Sequence, residues 1–391
     1  MRAPDQTIHI ALNAPPDGSV EASDIRQSLS AIVRVGRHLF LGCDETATLE
    51  RVTDLGDGRF GEHRTYKLAD VLNLPAGTDD EVDVEGLGWD PPYLWLVGSH
   101  SRKRRKAKGG MDFDKASKEL ADVDADDNRY LLARIPLEED AEAGGLVPRK
   151  SCPDPRDPSR TLAAARLRGD GRRSELIREL KDDPHLRRFI RIPGKDNGLD
   201  VEGIQVAGGR VLLGLRGPVL RGWAVVLQVE PVDAGDEGRL KLRKIGKDGR
   251  RYRKHFLDLN GLGIRDLAQS GDDLLILAGP TMDVRAHAGV FRWRGGLRAA
   301  EESLVSGDAL EQLTALPHDV EGGADHPEGM CRFDDGGSQH SLLVAYDSPS
   351  GSRQDRHGVT ADVFALPSPG VLGTIAETLT SFVSRGGEGE G

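Results

Sequence analysis

The stretch Gly198-Leu-Asp-Val-Glu-Gly-Ile-Gln-Val-Ala-Gly-Gly-Arg-Val-Leu-Leu-Gly-Leu-Arg-Gly-Pro218 decides how this chain is read. An acidic turn, Asp200 to Gly203, feeds a short apolar strand. Gly208-Gly209 turns the chain, and Val211 to Leu215 reads as a strand buried on both faces. The unit is a β-hairpin with carboxylates at its mouth.

The unit recurs. Asp83-Val84-Glu85-Gly86 precedes the apolar run Tyr93 to Val97, and His326-Pro327-Glu328-Gly329 precedes Ser341 to Ala345. Two degenerate copies, at Ile264-Arg265-Asp266-Leu267 and Ser30-Ala31-Ile32-Val33, lead into Leu274 to Leu277 and His38 to Leu41. Copies spaced about sixty residues apart, each opening with a hairpin, are the signature of an all-β propeller. Five blades are expected. Glu85 and Glu202 lie almost two periods apart, so a sixth, degenerate blade is the competing reading.

Taken in order, Thr7 to Leu12 alternates like a strand and is expected to close the last blade from the other terminus, because closure removes a sheet edge. In blade two the spacing of Leu176, Ile177 and Leu180, with Ser174 as N-cap, predicts a helical insertion over 138–188. Phe189 to Ile192 is then that blade's delayed fourth strand. A single propeller domain over 1–370 is expected. The stripe Leu372, Ile375, Ala376, Leu379, Phe382 and Val383 predicts a C-terminal amphipathic helix within 371–391, ending in a glycine-rich disordered tail.

Composition narrows the class. Hydrophobic residues make up 37% and charged residues 30% of the 391, and 49 glycines suit many tight turns. A net charge of −11 and an aromatic content of 5% disfavour nucleic acid as a partner. Met1 to Gln6 has no apolar leader character, no run of about 18 apolar residues occurs, and the three cysteines have no zinc-ligand spacing. A cytoplasmic protein with no membrane partner is expected; oligomeric state is left open.

In a blade the chain zigzags outward, so the turn entering the inner strand and the turn leaving the second lie on one face. This gathers Asp83, Glu85, Asp200, Glu202, Arg265, Asp266, His326 and Glu328 near a channel mouth. Cys43-Asp44-Glu45, Ser99-His100-Ser101-Arg102, Arg216-Gly217-Pro218 and Tyr346-Asp347-Ser348 join them. Convergent carboxylates repel unless a cation compensates, and hard oxygen ligands favour Ca²⁺ or Mg²⁺. Glu85, Glu202, Glu328, Asp83 and Asp200 are the candidate metal ligands. The glutamates read equally well as struts between blades, and Asp83 and Asp200 as Asx turns.

Arg102, Arg216, Arg221, Arg265, Asp266 and Asp347 are the candidate ligand contacts, the guanidinium fork suiting phosphate or carboxylate. Arg265 reads also as a counter-ion of the acidic ring. His326 and His100 are candidate proton-transfer groups. Arg102-Lys-Arg-Arg-Lys106 looks like a nucleic-acid patch by composition and like a solvated loop by context. Nucleophile-elbow, Walker, zincin-helix and dinucleotide-glycine motifs are all missing from the sequence, which removes several enzyme classes.

Gly98-Ser-His-Ser101, Lys195 to Gly203, Leu213 to Gly222 and His326-Pro-Glu-Gly329 resemble a bacterial family known as domain of unknown function 3616, over roughly residues 25 to 366. The resemblance implies no reaction. More distantly, the Asp-x-Glu-Gly turns are similar to those of esterase-like phytase propellers, which implies phosphoester hydrolysis or Ca²⁺ binding at Glu85, Glu202 and Glu328. Two expectations follow. One is a small-anion or divalent-cation pocket at the mouth, serving a metal-assisted hydrolase; the other is a non-catalytic scaffold for a protein partner.

Overall fold

The computed structural model describes residues 3–15, 18, 20–77, 80–282, 287–316, 324–333 and 341–366. The chain is mostly β, in antiparallel groups that each follow chain order from the inside outward. The first holds Leu29–Val35, His38–Cys43, Thr48–Gly56 and Arg59–Lys67. The second holds Val84–Asp90, Tyr93–Gly98, Leu132–Asp140 and Ala165–Leu167. Next come Asp200–Ala207, Arg210–Leu220, Trp223–Val229 and Tyr252–Asp258. Gly263–Ser270, Asp273–Gly279, Ala288–Trp293 and Leu310–Leu316 form the fourth. His326–Arg332, Ser341–Asp347 and Gly358–Ala365 form the last, onto which Gln6–Ala11 pairs antiparallel from the other end of the described chain.

The innermost strand of each group packs on the innermost strand of the next, and the last packs on the first. The architecture is propeller-like. Gln6–Ala11 also meets Arg59 and Phe60 in parallel, joining the first and last groups into one eight-stranded sheet. Hairpin tips follow local chemistry: Asp57-Gly58 and Gly208-Gly209 both have two positive φ angles in succession, the turn that matches strand twist.

The core lies between groups. Trp95, Val97, Ile204, Val206, Leu213 and Leu215 fill the seam between the second and third, and Ile8, Ile10, Ile32, Leu41, Leu343 and Val363 the seam between first and last. Burying aliphatic side chains on both faces of the second strands explains their unbroken apolar runs. Cys43, Cys152 and Cys331 are buried free thiols.

The predicted helical insertion is corrected. Residues 138–188 carry the strands Gly145–Pro148, Ser151–Asp154, Asp157–Ala163 and Ala165–Leu167, and a single short α-helix, Glu175–Leu180, capped by Ser174 as expected. The alanine-rich run Ala163-Ala164-Ala165 reads as helical by propensity, but pairing of Ala165–Leu167 with Leu132–Asp140 overrides it. Phe189–Arg191 is a 3-10 turn, not the fourth strand. Beyond Ala165–Leu167, Arg239–Leu242 adds in parallel, lent by the segment that follows Trp223–Val229. The predicted C-terminal helix lies outside the described residues. Among the described residues no helix is long and apolar enough to cross a membrane.

Candidate functional site

On every innermost strand the ladder to the second strand skips one residue at the same place: Ser30, Glu85, Glu202, Arg265 and Glu328. A bulge leaves its extra residue unpaired and re-aims the side chain. The glycine after each motif glutamate has a separate duty. A Cβ at Gly86 would stand 2.7 Å from the Glu202 carbonyl oxygen, at Gly203 3.0 Å from Asp266 Cα, and at Gly329 3.0 Å from Ile32 Cγ2. The Glu-Gly pair therefore combines a bulge with close approach of the next group.

One arc of the bulge ring is internally neutralised. Arg216 Nη1 donates to Glu202 Oε1 at 2.8 Å, and Arg265 Nη1 donates to Glu202 Oε2 at 3.3 Å and also to Glu328 Oε1. Arg265 Nη2 reaches the Pro280 carbonyl at 3.1 Å. Asp266, instead of contacting a ligand, accepts the backbone N–H of Met330 from the next group and of Leu267, both at 2.7 Å. Glu202 and Glu328 are thus tied to guanidiniums, which corrects the sequence expectation that they converge with Glu85 on one cation. Arg265 is the counter-ion.

The opposite arc is only partly neutralised. Carboxylate oxygens of Asp44, Asp83 and Glu85 lie within 4.8 Å of one another. Arg129 Nη2 stands 2.8 Å from Asp83 Oδ2 and also donates to Ser101 Oγ at 3.1 Å. Asp44 Oδ1 is buried with no hydrogen-bond partner among the described residues. Burial, with Asp83 and Glu202 adding repulsion, pushes Glu85 well above the usual carboxylate range. Burial, then Asp347 and Asp83, does the same to Asp44. Asp200, 4% exposed, is pushed up to about 7 by burial and by Glu202, against the pull of Arg216 and Arg129.

A cavity of about 1290 Å³ opens on this arc. Asp44, Glu85, Asp200 and Arg216 line it from the strand ends, and Arg129 from the 3-10 turn Asn128–Tyr130. Its other lining includes the segment from Arg102 to Lys108, which sequence context had read as a solvated loop, with Leu120 and, among acidic residues, Glu81, Glu119, Asp124 and Asp126. That segment is part of a small cover: Lys103–Arg104 pairs with Val123–Asp124, and helix Phe113–Ala121 between them starts at Asp112, whose carboxylate accepts the Lys115 N–H at 3.0 Å. Arg104 Nε donates to Asp196 Oδ2 at 2.7 Å, and Gly194 N to the Arg102 carbonyl at 3.0 Å. Basic side chains thus face acidic ones across one cavity.

The remaining candidates separate. His326 Nδ1 lies 3.8 Å from Asp347 Oδ2, and with Glu328 these make a second cluster within 4.8 Å. His100 is 1% exposed, its Nδ1–H donates to the Gly98 carbonyl at 2.8 Å, and burial lowers it to about 4. It does not line the cavity, as Ser101 beside it does, because its ring packs inward against Tyr130, and the Ser99 carbonyl accepts the Val201 N–H. Arg221 stands at the hairpin tip beside Gly222, outside the cavity. Sequence reasoning placed Asp44 at the mouth without counting it among the metal ligands, and passed over Arg129. Asp44 follows the second strand of the first group, the position of Ser99, Arg216 and Asp347 in other repeats, and that alignment was the available signal. For Arg129, on a 3-10 turn, there was none.

Fold and site define a propeller-like protein with an acidic mouth beneath a basic cover. The chain belongs to the family described as "Protein of unknown function (DUF3616)", whose model matches residues 28–362. Among curated proteins none matches the chain. Solved structures it is similar to include the glutaminyl cyclase of Myxococcus xanthus, at 10% identity over 93% of this chain and 97% of that one, with a TM-score of 0.39. Another is an exo-β-1,3-galactanase from Phanerochaete chrysosporium, at 10% identity over 93% and 65%, TM-score 0.38. A third is the PQQ-bound aldose sugar dehydrogenase of Streptomyces coelicolor, at 11% over 92% and 100%, TM-score 0.33. At these scores the likenesses carry no inference about what this chain does.

Proposed function

We propose that this protein is a five-bladed β-propeller that takes a small phosphorylated or carboxylated ligand at its mouth with the help of a divalent cation, and that the site serves hydrolysis of an ester of that class. Five innermost strands in cyclic contact support the blade count. The observation that carries the ligand reading is a charge imbalance. Among the described residues, Asp44, Asp83, Glu85, Asp200, Glu202, Glu328 and Asp347 crowd the mouth, and Arg129, Arg216 and Arg265 are the guanidiniums paired with them. Buried charge without a partner is costly, and a bound cation or retained protons relieve it.

Asp44, Asp83 and Glu85 would hold the cation, and their all-oxygen donor set suits Ca²⁺ or Mg²⁺. A divalent cation there supplies Lewis acidity to a substrate oxygen. Arg102 and the basic segment behind it orient the anion. Asp200, on the cavity wall with a proton to exchange near neutrality, takes the part of proton carrier that the sequence reading gave to His326 and His100, neither of which lines the cavity. Cytoplasmic location and a lack of nucleic-acid binding are carried forward from the sequence as part of this reading.

The test is a thermal-shift titration of EDTA-stripped protein with Ca²⁺, Mg²⁺ and Mn²⁺, run beside Glu85→Gln. A saturable rise with one cation, lost in the variant, supports the reading; no rise with any cation sinks it. A second reading, a scaffold for a protein partner, is favoured by one observation: Phe113 is 83% exposed on a helix with no buried residue. Cation silence, together with a partner whose capture is lost in Phe113→Ser, would install it instead.

A further inference from the structure

A second cavity, of about 770 Å³, lies on the outer flank of the third group, away from the mouth. Alternate residues of its last strand, Tyr252, Lys254 and Phe256, form one wall, as the two-residue period of a strand dictates. The turn after helix Glu175–Leu180 supplies the other, with Asp183 and His185.

The inner end of this cavity is polar, with Asp183 and Lys254 buried and His185 half-exposed at its edge. Asp183 is 2% exposed and Lys254 4%. The Asp183 carboxylate is saturated: Oδ2 accepts from Tyr252 Oη at 2.6 Å and from Lys254 Nζ, and Oδ1 accepts the backbone N–H groups of His185 at 2.9 Å and Leu186 at 3.0 Å. These donors hold Asp183 below the usual carboxylate range despite its burial. Glu302 is likewise occupied, by both Arg250 nitrogens at 2.9 and 3.1 Å and by the Lys254 N–H at 3.1 Å.

Donor capacity, by contrast, is left over. An ammonium has three N–H bonds. Lys254 gives one to Asp183 and one to His185 Nδ1 at 3.0 Å, and its third has no acceptor among the described residues. Because His185 Nδ1 accepts, its proton is on Nε2, which has no partner among the described residues either. The imidazole is held edge-on to Phe256, with ring centroids 5.2 Å apart. The acceptors of Asp183 and Glu302 are spent and two donors remain, so the inner end between Lys254 and His185 is complementary to an oxygen acceptor; Glu179, Asp182 and Asp248 also line the cavity.

We propose that this cavity is a second ligand site, in which Lys254 Nζ and His185 Nε2 bind the oxyanion of a small carboxylate or phosphate compound. Tyr252 and Phe256 give the ligand's remainder an aromatic wall, and Asp183 fixes the lysine. The site shares no lining residue with the mouth cavity.

The experiment uses full-length protein labelled at histidine Cε1, titrated with acetate and, separately, with inorganic phosphate. The His185 resonance, assigned by its disappearance in His185→Gln, is expected to shift saturably with at least one anion. The shift should be unchanged in Glu85→Gln, which separates this site from the mouth, and absent in Lys254→Met. If Lys254→Met does not fold, because Asp183 is left unpaired, the paired variant Lys254→Met/Asp183→Asn takes its place. A His185 resonance that moves with neither anion, or that still shifts saturably without Lys254, overturns the proposal.

Discussion

Arg265 Nη1 donates to Glu202 Oε2 across the seam between the third and fourth groups at 3.3 Å, and the same nitrogen reaches Glu328 in the last. One guanidinium, 4% exposed, therefore spans three consecutive groups at their innermost strands. Removing one partner of a buried ionic network leaves uncompensated charge and costs about 3–5 kcal/mol. Arg265→Met should lose stability of that order in urea unfolding under EDTA. Part of the loss should return with Ca²⁺, since Glu328 and the Glu202 oxygen that Arg265 held are then open to a cation, while Arg216 keeps the other Glu202 oxygen.

Gly86 sits where a Cβ would press on the Glu202 carbonyl oxygen and on Ile204 Cγ2. Backbone cannot yield as a side-chain tip can. Gly86→Ala is expected to cost about 1–3 kcal/mol by overpacking, read as a lower urea midpoint with an unchanged slope. An unaltered midpoint would show that the seam has slack.

Ile10 is fully buried in the strand that joins the first and last groups. Ile10→Ala should cost about 2–5 kcal/mol for the cavity it leaves. Loss of that strand exposes the edge of Gly358–Ala365, so the variant should also aggregate faster near its midpoint. Light scattering during the melt checks this.

Two titrations run in opposite directions. Asp200 is raised in the folded state to about 7, so its contribution to stability is present below its ordinary value of 3.8 and lost as pH rises through about 7. Asp200→Asn should therefore gain on wild type with rising pH across that range in EDTA. His255 is buried against Ser303 and Gln228, and burial lowers it to about 4. Its contribution is present above 6.5 and lost as pH falls toward 4, so the stability gap between wild type and His255→Gln should narrow in acid. Parallel curves for a variant and wild type would refute that assignment.

Much of the fold was legible because hairpins are local. Alternation, the apolar second strands and the Gly208-Gly209 tip place each pair within about fifteen residues, where turn chemistry sets register. Ala165–Leu167 and Arg239–Leu242 were not legible. Each is short and adds to a strand far away in sequence, so its conformation is set by the partner edge and not by its own composition.

The sequence by itself determined the repeat, the hairpin in each copy, and the identity of the residues at the ring: Ser30, Glu85, Glu202, Arg265 and Glu328 occupy equivalent positions, and all five are bulged. Only the tertiary structure decided which of them are neutralised. Coulomb interactions depend on distances that the chain sets by closing on itself. Arg265 falls between Glu202 and Glu328, while Glu85 is left with Asp44 and Asp83 under a basic cover whose charges, read along the sequence, looked merely solvated.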